Sequence, residues 1–330
     1  MTIDTPDMSM IIVSFNTCHL LRECLQTLRR EAGDISYETI VIDNASQDGS
    51  ADMVEREFPE MQLIRSTENL GFAAANNLGF TQARGHYMVL LNSDAFLKPQ
   101  ALEKALAYMQ ADSTIGVGGA RLVGQDGAWQ PSARMFPSLL NHFLTISGLA
   151  AKYPHSRFFG RVDRTWADHD IAAQVDWVPG AFFIIPRRVL EKVGYFDERF
   201  FLYCEETDLC RRIKYAGYNI WYWPDVVVVH LGGESSKSLK HLTMSATGKA
   251  LILWQIRSIL LFYHKHHGAL SAWLWMQIEN LWHWLRALKN GLSQQAQKQQ
   301  KAAYSKMVRK LLRQAWHETQ GGRVSPPRPW

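Results

Sequence analysis

The sequence predicts an α/β fold, with a mainly parallel central sheet, helices on both faces, and a helical C-terminal extension. Short apolar segments that suit strands buried on both faces alternate with segments whose apolar residues have helical spacing. Such alternation is typical of a βαβ series and a parallel sheet. From His241 onward the pattern is helical, and seven of the twelve Trp lie at or after Trp254.

The βαβ series occupies the first 122 residues. Helix 99–110 has Pro99 at its start, where the missing N–H costs least. Gly-rich residues 115–122 are extended. The other predicted strands are 10–15, 39–43, 62–65 and 87–91, and the other predicted helices are 19–31, 50–58 and 71–83.

The second half is less regular. Residues 124–175 hold few clear periods, so we expect an insertion or long loop over the site. The strands predicted after it are 175–186, which Pro179-Gly180-Ala181 interrupts, 218–223 and 226–230. The predicted helices are 186–193, 206–215 and 296–318, and we expect a loose terminus. We divide the chain into a catalytic domain, 1–240, with halves 8–122 and 123–240, and an extension, 241–330.

The net charge of +5 is unevenly distributed. Residues 289–330 contain nine Lys or Arg and one acid, a net +8, so the first 288 residues sum to −3. A basic tail suits an anionic surface, either lipid or nucleic acid. No base-stacking motif accompanies it, so nucleic acid is not an expected partner.

The cysteines and the apolar segments bear on the cellular compartment. Cys18, Cys24, Cys204 and Cys210 match no zinc spacing and are expected to be reduced thiols of a cytosolic protein. The N-terminus is acidic and polar, unlike a signal peptide. The segment nearest to a membrane span, 135–151, contains Pro, Asn, His and hydroxyl side chains, so we expect no spanning helix.

Three apolar strands end in small polar or acidic residues. The first ends in Ser14-Phe15-Asn16, the second in Asp43-Asn44 and the third in Asn92-Ser93-Asp94. Open parallel sheets bind ligands at the carboxyl ends of their strands. The sequence therefore predicts one site for a polar, phosphorylated and metal-bound ligand.

Each polar group at this edge also has a plainer interpretation. Asp94 either holds Mg²⁺ or Mn²⁺ or caps the next turn. Asp43 either accepts a hydrogen bond from a pyrimidine base or shapes a strand-to-helix turn. In the Gly-rich segment 68–79, Asn76 and Asn77 are either core amides or part of the site.

Two later features carry candidate chemistry. Glu205, Glu206 and Asp208 begin a helix, where they either complement its dipole or supply a general base. His230 ends a strand before a Gly-rich turn over 232–236, and is either structural or a metal or phosphate ligand. The dinucleotide, P-loop and nucleophile-elbow glycine motifs are missing from the sequence, which argues against those enzyme classes.

In order and spacing these segments resemble glycosyltransferase family 2, the inverting enzymes with the GT-A fold. The resemblance covers about residues 8–240. Two later segments, 177–181 and 257–266, are similar to the bacterial rhamnosyltransferase branch. The matching family motifs begin at Ile11, Val41, Glu68, Leu90, Pro179 and Gly194 and reach Arg212.

The resemblance implies a role for each matching residue. Asp94 and His230 would bind a divalent metal, Mg²⁺ or Mn²⁺. Glu206 would be the general base, with Asp208 as the fallback, and Glu205 would be the other catalytic acid. The family usually has Glu-Asp where this sequence has Glu205-Glu206, and many members have Asp where this sequence has Asn92. Acceptor-side residues would be Trp177, Gly180 and Ala181. The nucleotide-sugar would contact Ser14, Asn16, Asp43, Asn44, Asn69, Gly71, Asn76, Asn92 and Ser93.

The implied reaction is a single displacement from a nucleotide-sugar, with dTDP-rhamnose as the best expectation and a UDP-sugar as the alternative. The acceptor would be a glycan or a lipid-linked oligosaccharide in cell-surface polysaccharide synthesis. Trp-rich residues 269–288 and the basic tail would attach the protein to the cytoplasmic face of the inner membrane, or would pack against the protein, including a second copy in a homodimer. A non-catalytic sugar-binding protein on a degenerate fold is the other class. A nucleotidyltransferase is disfavoured, because its Gly-rich signature does not follow the first strand.

Overall fold

The computed structural model describes residues 5–232 and 246–326, and within these ranges ten strands form one sheet. The strands are β1 (Met8–Ser14), β2 (Tyr37–Asp43), β3 (Gln62–Arg65), β4 (Tyr87–Leu91), β5 (Ala95–Leu97), β6 (Ile115–Val123), β7 (Trp129–Gln130), β8 (Ala173–Gln174), β9 (Phe182–Pro186) and β10 (Asn219–His230). The helices are α1 (Cys18–Glu31), α2 (Ser50–Glu57), α3 (Gly71–Gln82), α4 (Ala101–Ala111), α5 (Leu139–Ile146), α6 (Leu149–Lys152), α7 (Arg187–Val193), α8 (Glu205–Tyr215), α9 (Ala246–Gly291) and α10 (Ala296–Glu318).

The sheet order is β3-β2-β1-β4-β9-β6-β10-β5, with β7 on β6 and β8 on β10. Strands β3, β2, β1 and β4 are parallel, as are β6 and β10. Strand β9 runs antiparallel to both of its neighbours. The short strands are also antiparallel to their partners, β5 and β8 to β10 and β7 to β6. The mainly parallel prediction is confirmed, with these exceptions. The apolar sequence of β9 predicted its burial but carries no information about its direction.

Helices cover both faces of the sheet, as predicted. Successive strand residues point to opposite faces, so Ile12 packs with α1, α2 and α4, whereas Ile11 packs with α3, α7 and α8. Both side chains are fully buried. The doubly covered sheet thereby keeps the carboxyl ends of β1, β2 and β4 at one edge.

The C-terminal helices pack against each other and against the middle of the chain. Helix α9 is kinked at Gly268, which has non-helical angles. Ile256, Leu260 and Tyr263 of α9 form a core with Val308 and Leu312 of α10, and Leu139 of α5 packs on it. Within the described ranges, no helix combines the length and apolarity that crossing a bilayer requires.

The structure differs from the sequence predictions in the irregular regions. Residues 124–175, expected to be an insertion or long loop, contain β7, α5, α6 and β8. Helix α5 was missed because amide and hydroxyl side chains interrupt its apolar period. Its N-terminus is capped by Ser138, whose hydroxyl accepts a hydrogen bond from the Asn141 N–H at 3.2 Å. Strand β5, with three residues, is too short to recognise. The two strands predicted within 218–230 are one bulged strand, β10.

The prediction of a loose terminus is wrong for residues 319–326. Thr319 is fully buried, and its hydroxyl accepts a hydrogen bond from the Gly322 N–H at 3.0 Å. Close packing of Gly322 on the Leu260 backbone holds this turn against α9. Residues 233–236 of the predicted Gly-rich turn and the helical start predicted at His241 lie outside the described residues.

Candidate active site

Hydrogen bonds join the carboxyl ends of β1 and β4. Ser14 is paired in register with Asp43 of β2. The Ser14 hydroxyl lies 2.9 Å from Thr17 Oγ1, which donates to Ser93 Oγ at 2.9 Å. The structure therefore brings the three polar strand ends together, as the parallel order required.

Asp43 is a buried carboxylate with one oxygen committed to the fold. Its Oδ2 accepts a hydrogen bond from the Ser46 N–H at 3.1 Å, and the residue is only 4% exposed. None of the described residues donates a hydrogen bond to Oδ1. A buried acceptor without a donor is costly, so this oxygen suits an N–H of a bound base. Nearby, Asn16 Oδ1 accepts from the Gln47 N–H at 2.8 Å, which joins the loops after β1 and β2.

The asparagines of the Gly-rich segment shape the site. Asn44 donates to Asn69 Oδ1 at 2.9 Å and accepts from the Leu70 N–H at 2.8 Å. Gly71 has a φ of +79°, and a Cβ there would lie 2.4 Å from the Phe201 carbonyl oxygen. Asn76 donates to the Phe72 carbonyl within its own helix at 2.8 Å, so its amide hydrogen serves α3.

Asp94 and His230 meet at the end of β4. His230 Nε2 lies 3.5 Å from Asp94 Oδ1 and 3.4 Å from Asn92 Nδ2. His230 Nδ1 lies 3.1 Å from Gln130 Oε1, which orients the ring. No group of three His, Cys, Asp or Glu ligands occurs within the described ranges. The Asp94 carboxylate is the kind of hard oxygen ligand that Mg²⁺ or Mn²⁺ prefers, and a cation held here would keep waters and bind substrate phosphates.

The Pro179-Gly180-Ala181 turn connects the end of β4 to the acidic helix α8. The Asn92 N–H donates to the Ala181 carbonyl at 3.2 Å, and the Gly180 N–H donates to the Glu206 carboxylate. Trp177 is anchored by its indole N–H, which donates to the Met135 carbonyl at 3.0 Å. The turn therefore places Glu206 beside the end of β4, although about 110 residues separate them in the sequence.

Glu206 lines a cavity of about 590 Å³ together with Arg134, Trp177 and Pro179. Its Oε2 has no hydrogen-bond partner within residues 5–232 and 246–326. Burial raises the pKa of Glu206, while the Gly180 N–H and the Arg134 charge act to lower it. The carboxylate is thus oriented through one oxygen and open at the other, which suits a general base.

Glu205 and Asp208 differ sharply from Glu206. Burial and the adjacent Glu206 charge raise the pKa of Glu205 well above its usual range. Asp208 is fully buried, and both of its oxygens are occupied, by Arg212 at 2.9 Å, Lys265 at 2.6 Å and His266 at 2.7 Å. Asp208 therefore joins α8 to α9 and has no oxygen left for a substrate.

Arg134 is a site residue that the sequence analysis missed. It lines the Glu206 cavity and also a second cavity of about 490 Å³ that includes His230 and Gln130. Its guanidinium lies 4.8 Å from the Trp177 ring centroid and pairs with Asp163 at 2.7 Å. Because it lies in an irregular segment with no motif, the sequence carried no signal for it. Arg134 and Pro179 form the wall between the two cavities.

Known proteins resemble this chain in sequence and in fold. The family model for glycosyl transferase family 2 matches residues 9–194. N-acetylglucosaminyl-diphospho-decaprenol L-rhamnosyltransferase of Mycobacterium tuberculosis is 27% identical over 213 residues, covering 60% of this chain and 67% of that protein. Rhamnosyltransferase WbbL of Escherichia coli K12 is 26% identical over 245 residues, covering 69% of this chain and 84% of that protein.

A solved structure is similar in fold over nearly the whole chain. The mannosyltransferase PcManGT of Pyrobaculum calidifontis, in complex with GDP-Man and Mn²⁺, has a TM-score of 0.55 at 17% identity, covering 95% of this chain and 88% of that one. Because the family model spans more than half of the chain, the protein belongs to glycosyl transferase family 2.

Proposed function

We propose that the protein is an inverting glycosyltransferase that moves a sugar from a nucleotide diphosphate to an acceptor hydroxyl. The observation that carries this proposal is the free Glu206 oxygen in a cavity adjoining that of His230, with Arg134 and Pro179 between them. Because Arg134 and Pro179 line both cavities, the base and the diphosphate site are neighbours, which suits a displacement at a carbon held between them.

The strand-end residues form the donor side. Asp43 Oδ1 accepts a hydrogen bond from the N–H of a pyrimidine base, and Ser14 and Asn16 shape the nucleoside pocket. Asp94 and His230 would hold Mg²⁺ or Mn²⁺, which supplies positive charge to the diphosphate leaving group. Arg134, at the wall between the cavities, adds a second positive charge at this position.

Glu206 performs the proton transfer on the acceptor side. Its Oε2 takes the proton of the acceptor hydroxyl while that oxygen bonds to the anomeric carbon. The bond from this carbon to the diphosphate oxygen breaks at the same time, so the configuration inverts.

The relatives support a donor and an acceptor class. Two similar proteins are named as rhamnosyltransferases, and one of these names contains a diphospho-polyprenol carrier. We therefore propose dTDP-rhamnose as the donor and a lipid-linked saccharide of cell-surface polysaccharide synthesis as the acceptor. UDP-GlcNAc and UDP-galactose are the alternative donors.

A donor panel tests this proposal. Purified protein is assayed with dTDP-rhamnose, UDP-GlcNAc or UDP-galactose and Mg²⁺ or Mn²⁺, for thermal stabilisation and nucleoside diphosphate release. We expect stabilisation and release with one donor. Glu206→Gln should lose about 10²- to 10⁴-fold of the transfer rate but keep the stabilisation, whereas Asp94→Ala should lose transfer. Wild-type turnover by Glu206→Gln would refute the base assignment. Stabilisation without turnover in the wild-type protein would identify a sugar-binding protein.

We also propose that α9 docks on an anionic membrane surface. After the kink, one face of α9 exposes a stripe of large apolar side chains, and Leu292 beyond it is 90% exposed. Basic α10 lies beside it, because Arg309 donates to Asn280 of α9 at 2.9 Å. Apolar insertion next to positive charge is typical of peripheral attachment to anionic lipid. The stripe consists of Leu270, Trp273, Leu281, Trp284, Leu285, Leu288 and Leu292.

A further inference from the structure

The Glu206 cavity extends well beyond the proposed base, into a region that only the C-terminal helices complete. This region is lined by Trp275 and Glu279 of α9 and Val308 of α10, together with Asn141 and His142 of α5. The volume of about 590 Å³ lies within the range of about 300–1,000 Å³ that is usual for small-molecule sites. Aromatic and aliphatic walls with few polar groups are typical of such sites.

A carboxylate flanked by two imidazoles lies in this region. Glu279 Oε1 is 3.2 Å from His142 Nε2, and Glu279 Oε2 is 3.3 Å from His283 Nε2. Burial alone would raise the pKa of Glu279, but contacts with the two histidines outweigh burial and lower its pKa to about 2. The cluster does not form a three-ligand metal group within the described ranges. It therefore presents polar edges, held in place, to the cavity.

Several cavity-lining polar atoms lack partners in the part of the chain that the structure describes. They include Oδ1 of Asn141, Nδ1 of His283 and the hydroxyl of Tyr263, whose residues are 4%, 7% and 1% exposed. Leaving such groups buried and unpaired is unfavourable. Three of them on the wall of one cavity indicate a ligand that supplies several hydroxyl donors and acceptors.

We propose that this region is an acceptor subsite for a neutral, hydroxyl-rich pyranose, bound by Asn141, Tyr263 and His283, whose ring Glu279 holds in place, and packed against Trp275. An apolar wall facing fixed hydrogen-bonding groups matches the two chemistries of a sugar, its C–H face and its hydroxyls. The subsite rests on the proposed function in one respect: its ligand is the sugar that carries the attacking hydroxyl. Glu206, in the same cavity, is the group that this hydroxyl then meets.

The test uses methyl glycosides of glucose, N-acetylglucosamine, galactose and mannose, with binding to the full chain measured by ligand-observed NMR. We expect the wild-type protein to bind at least one of them. Glu279→Gln, which keeps the side chain's shape, should weaken that binding about tenfold or more. His283→Gln keeps a donor toward Glu279 and removes the unpartnered ring nitrogen, so it should also weaken binding and serves if Glu279→Gln unfolds.

Glu318→Gln is the matched control. Glu318 of α10 pairs with Arg257 of α9 at 2.5 Å, so it is also an ion-paired glutamate of the C-terminal extension, but neither residue lines the cavity. Glu318→Gln should bind the glycoside as the wild-type protein does. Equal weakening by Glu318→Gln, wild-type binding by both cavity variants, or no binding of any glycoside by the wild-type protein would overturn the subsite.

Donor hydrolysis separates this proposal from the proposed function. The wild-type protein and Glu318→Gln should release nucleoside diphosphate from the donor at the same rate, with water as acceptor. If the wild-type protein binds a glycoside but processes no donor, the transferase proposal fails and the sugar site stands. If donor hydrolysis is normal and glycoside binding is unaffected by the cavity variants, the subsite alone fails.

Discussion

Glu205 and Glu206 are neighbours in sequence, but the structure places them in different surroundings. Glu205 is buried away from the cavity, with 3% exposure, whereas Glu206 lines it and accepts a hydrogen bond from the Gly180 N–H. They follow Tyr203 and Cys204, whose φ angles of 71° and 68° fall in the left-handed region. Such backbone costs about 1–3 kcal/mol per residue and is retained where it orients functional groups. Here it turns the start of α8 toward the cavity.

The pH profile of the reaction should report the Glu206 environment. Burial raises the pKa of Glu206 above its ordinary 4.5, and a base must be ionised. Activity should therefore be lost as the pH decreases through this raised pKa. The acid limb of kcat/KM should therefore lie above pH 4.5. Arg134→Gln removes a charge that lowers this pKa, so it should move the limb to still higher pH. A limb that stays in place or moves downward would contradict the coupling of Arg134 to the base.

Asp43 should control donor affinity and leave the chemical step unchanged. The two carboxylate oxygens of Asp43 are both acceptors, Oδ2 for the Ser46 N–H and the unpartnered Oδ1 for the proposed base. In Asp43→Asn one of them is replaced by an NH₂ group, which cannot accept a hydrogen bond. Loss of a hydrogen bond to a charged group costs about 1.5–3 kcal/mol, so the donor KM should rise about tenfold or more at similar kcat. Steady-state kinetics in donor concentration measure this split. An unchanged KM would show that Asp43 only shapes the turn after β2.

At the scale of elements, the junction of α8 with α9 decides how the acidic helix is used. Asp208 contacts Lys265 and His266 of α9, and Lys265 also pairs with Asp197 at 2.7 Å. These contacts hold α9 against α8, the helix that contains Glu206. The residue that sequence reasoning retained as a fallback base thus has both oxygens in structural ion pairs.

Asp208→Asn should therefore destabilise the fold. Removing one partner of a buried ion pair leaves uncompensated charge and costs about 3–5 kcal/mol. Ion pairs and hydrogen bonding lower the pKa of Asp208 despite burial, so the stabilisation is present above the unfolded value and is lost as pH falls through the folded one. Denaturant unfolding at neutral pH should show the full loss, and the difference from wild type should shrink below pH 3.8.

Asp52→Asn provides the control for this loss. Asp52 pairs with Arg65 at the surface, with its side chain 72% exposed, so its removal should leave the unfolding midpoint unchanged. A small effect of Asp208→Asn, similar to that of the control, would show that the ion pairs at α8 and α9 do not hold the two helices together.

At the scale of the whole molecule, the C-terminal extension is part of the site. The division at residue 240 stays a prediction, yet α9 and α10 supply a wall of the cavity that contains Glu206. Truncation after residue 288 would remove α10 and expose the apolar face of α9 that packs on it, including Leu260 and Tyr263. Surface charge changes are therefore the better test of membrane attachment.

Vesicle sedimentation should reveal attachment that depends on charge. We expect binding to phosphatidylglycerol-containing vesicles and little to phosphatidylcholine alone, because each basic residue near an anionic surface contributes about 1 kcal/mol. Reversal of the exposed Lys306, Lys310 and Arg313 to Glu should reduce the binding at least about tenfold. The same reversal at the exposed Arg30, Arg56 and Lys98 should have little effect.

Equal losses in both charge-reversed variants would assign the binding to overall charge. No binding by the wild-type protein, together with a dimer in solution that Leu281→Ser and Leu288→Ser dissociate, would assign the apolar stripe of α9 to contact with a second copy.

Regular elements were the predictable part of the molecule. Strands β1 to β4 and helix α10 lie where their apolar periods predict, because period and burial are coupled within each short segment. Helix α5 and strands β5, β7 and β8 were missed, since they are short or have mixed composition. Their positions depend on partners elsewhere, as in the packing of Leu139 on the α9–α10 core.

The sequence by itself determined that polar strand ends share one edge of a sheet, because continuous apolar runs specify buried strands and parallel order aligns their ends. It also placed three acids at the start of one helix. Only the tertiary structure decided that Glu206 is open to a cavity, that Asp208 is an ion-pair anchor, and that Arg134, Asn141 and Glu279 line the same cavity as Glu206. Burial and partners set the chemistry of these groups, and both come from segments far apart in the chain.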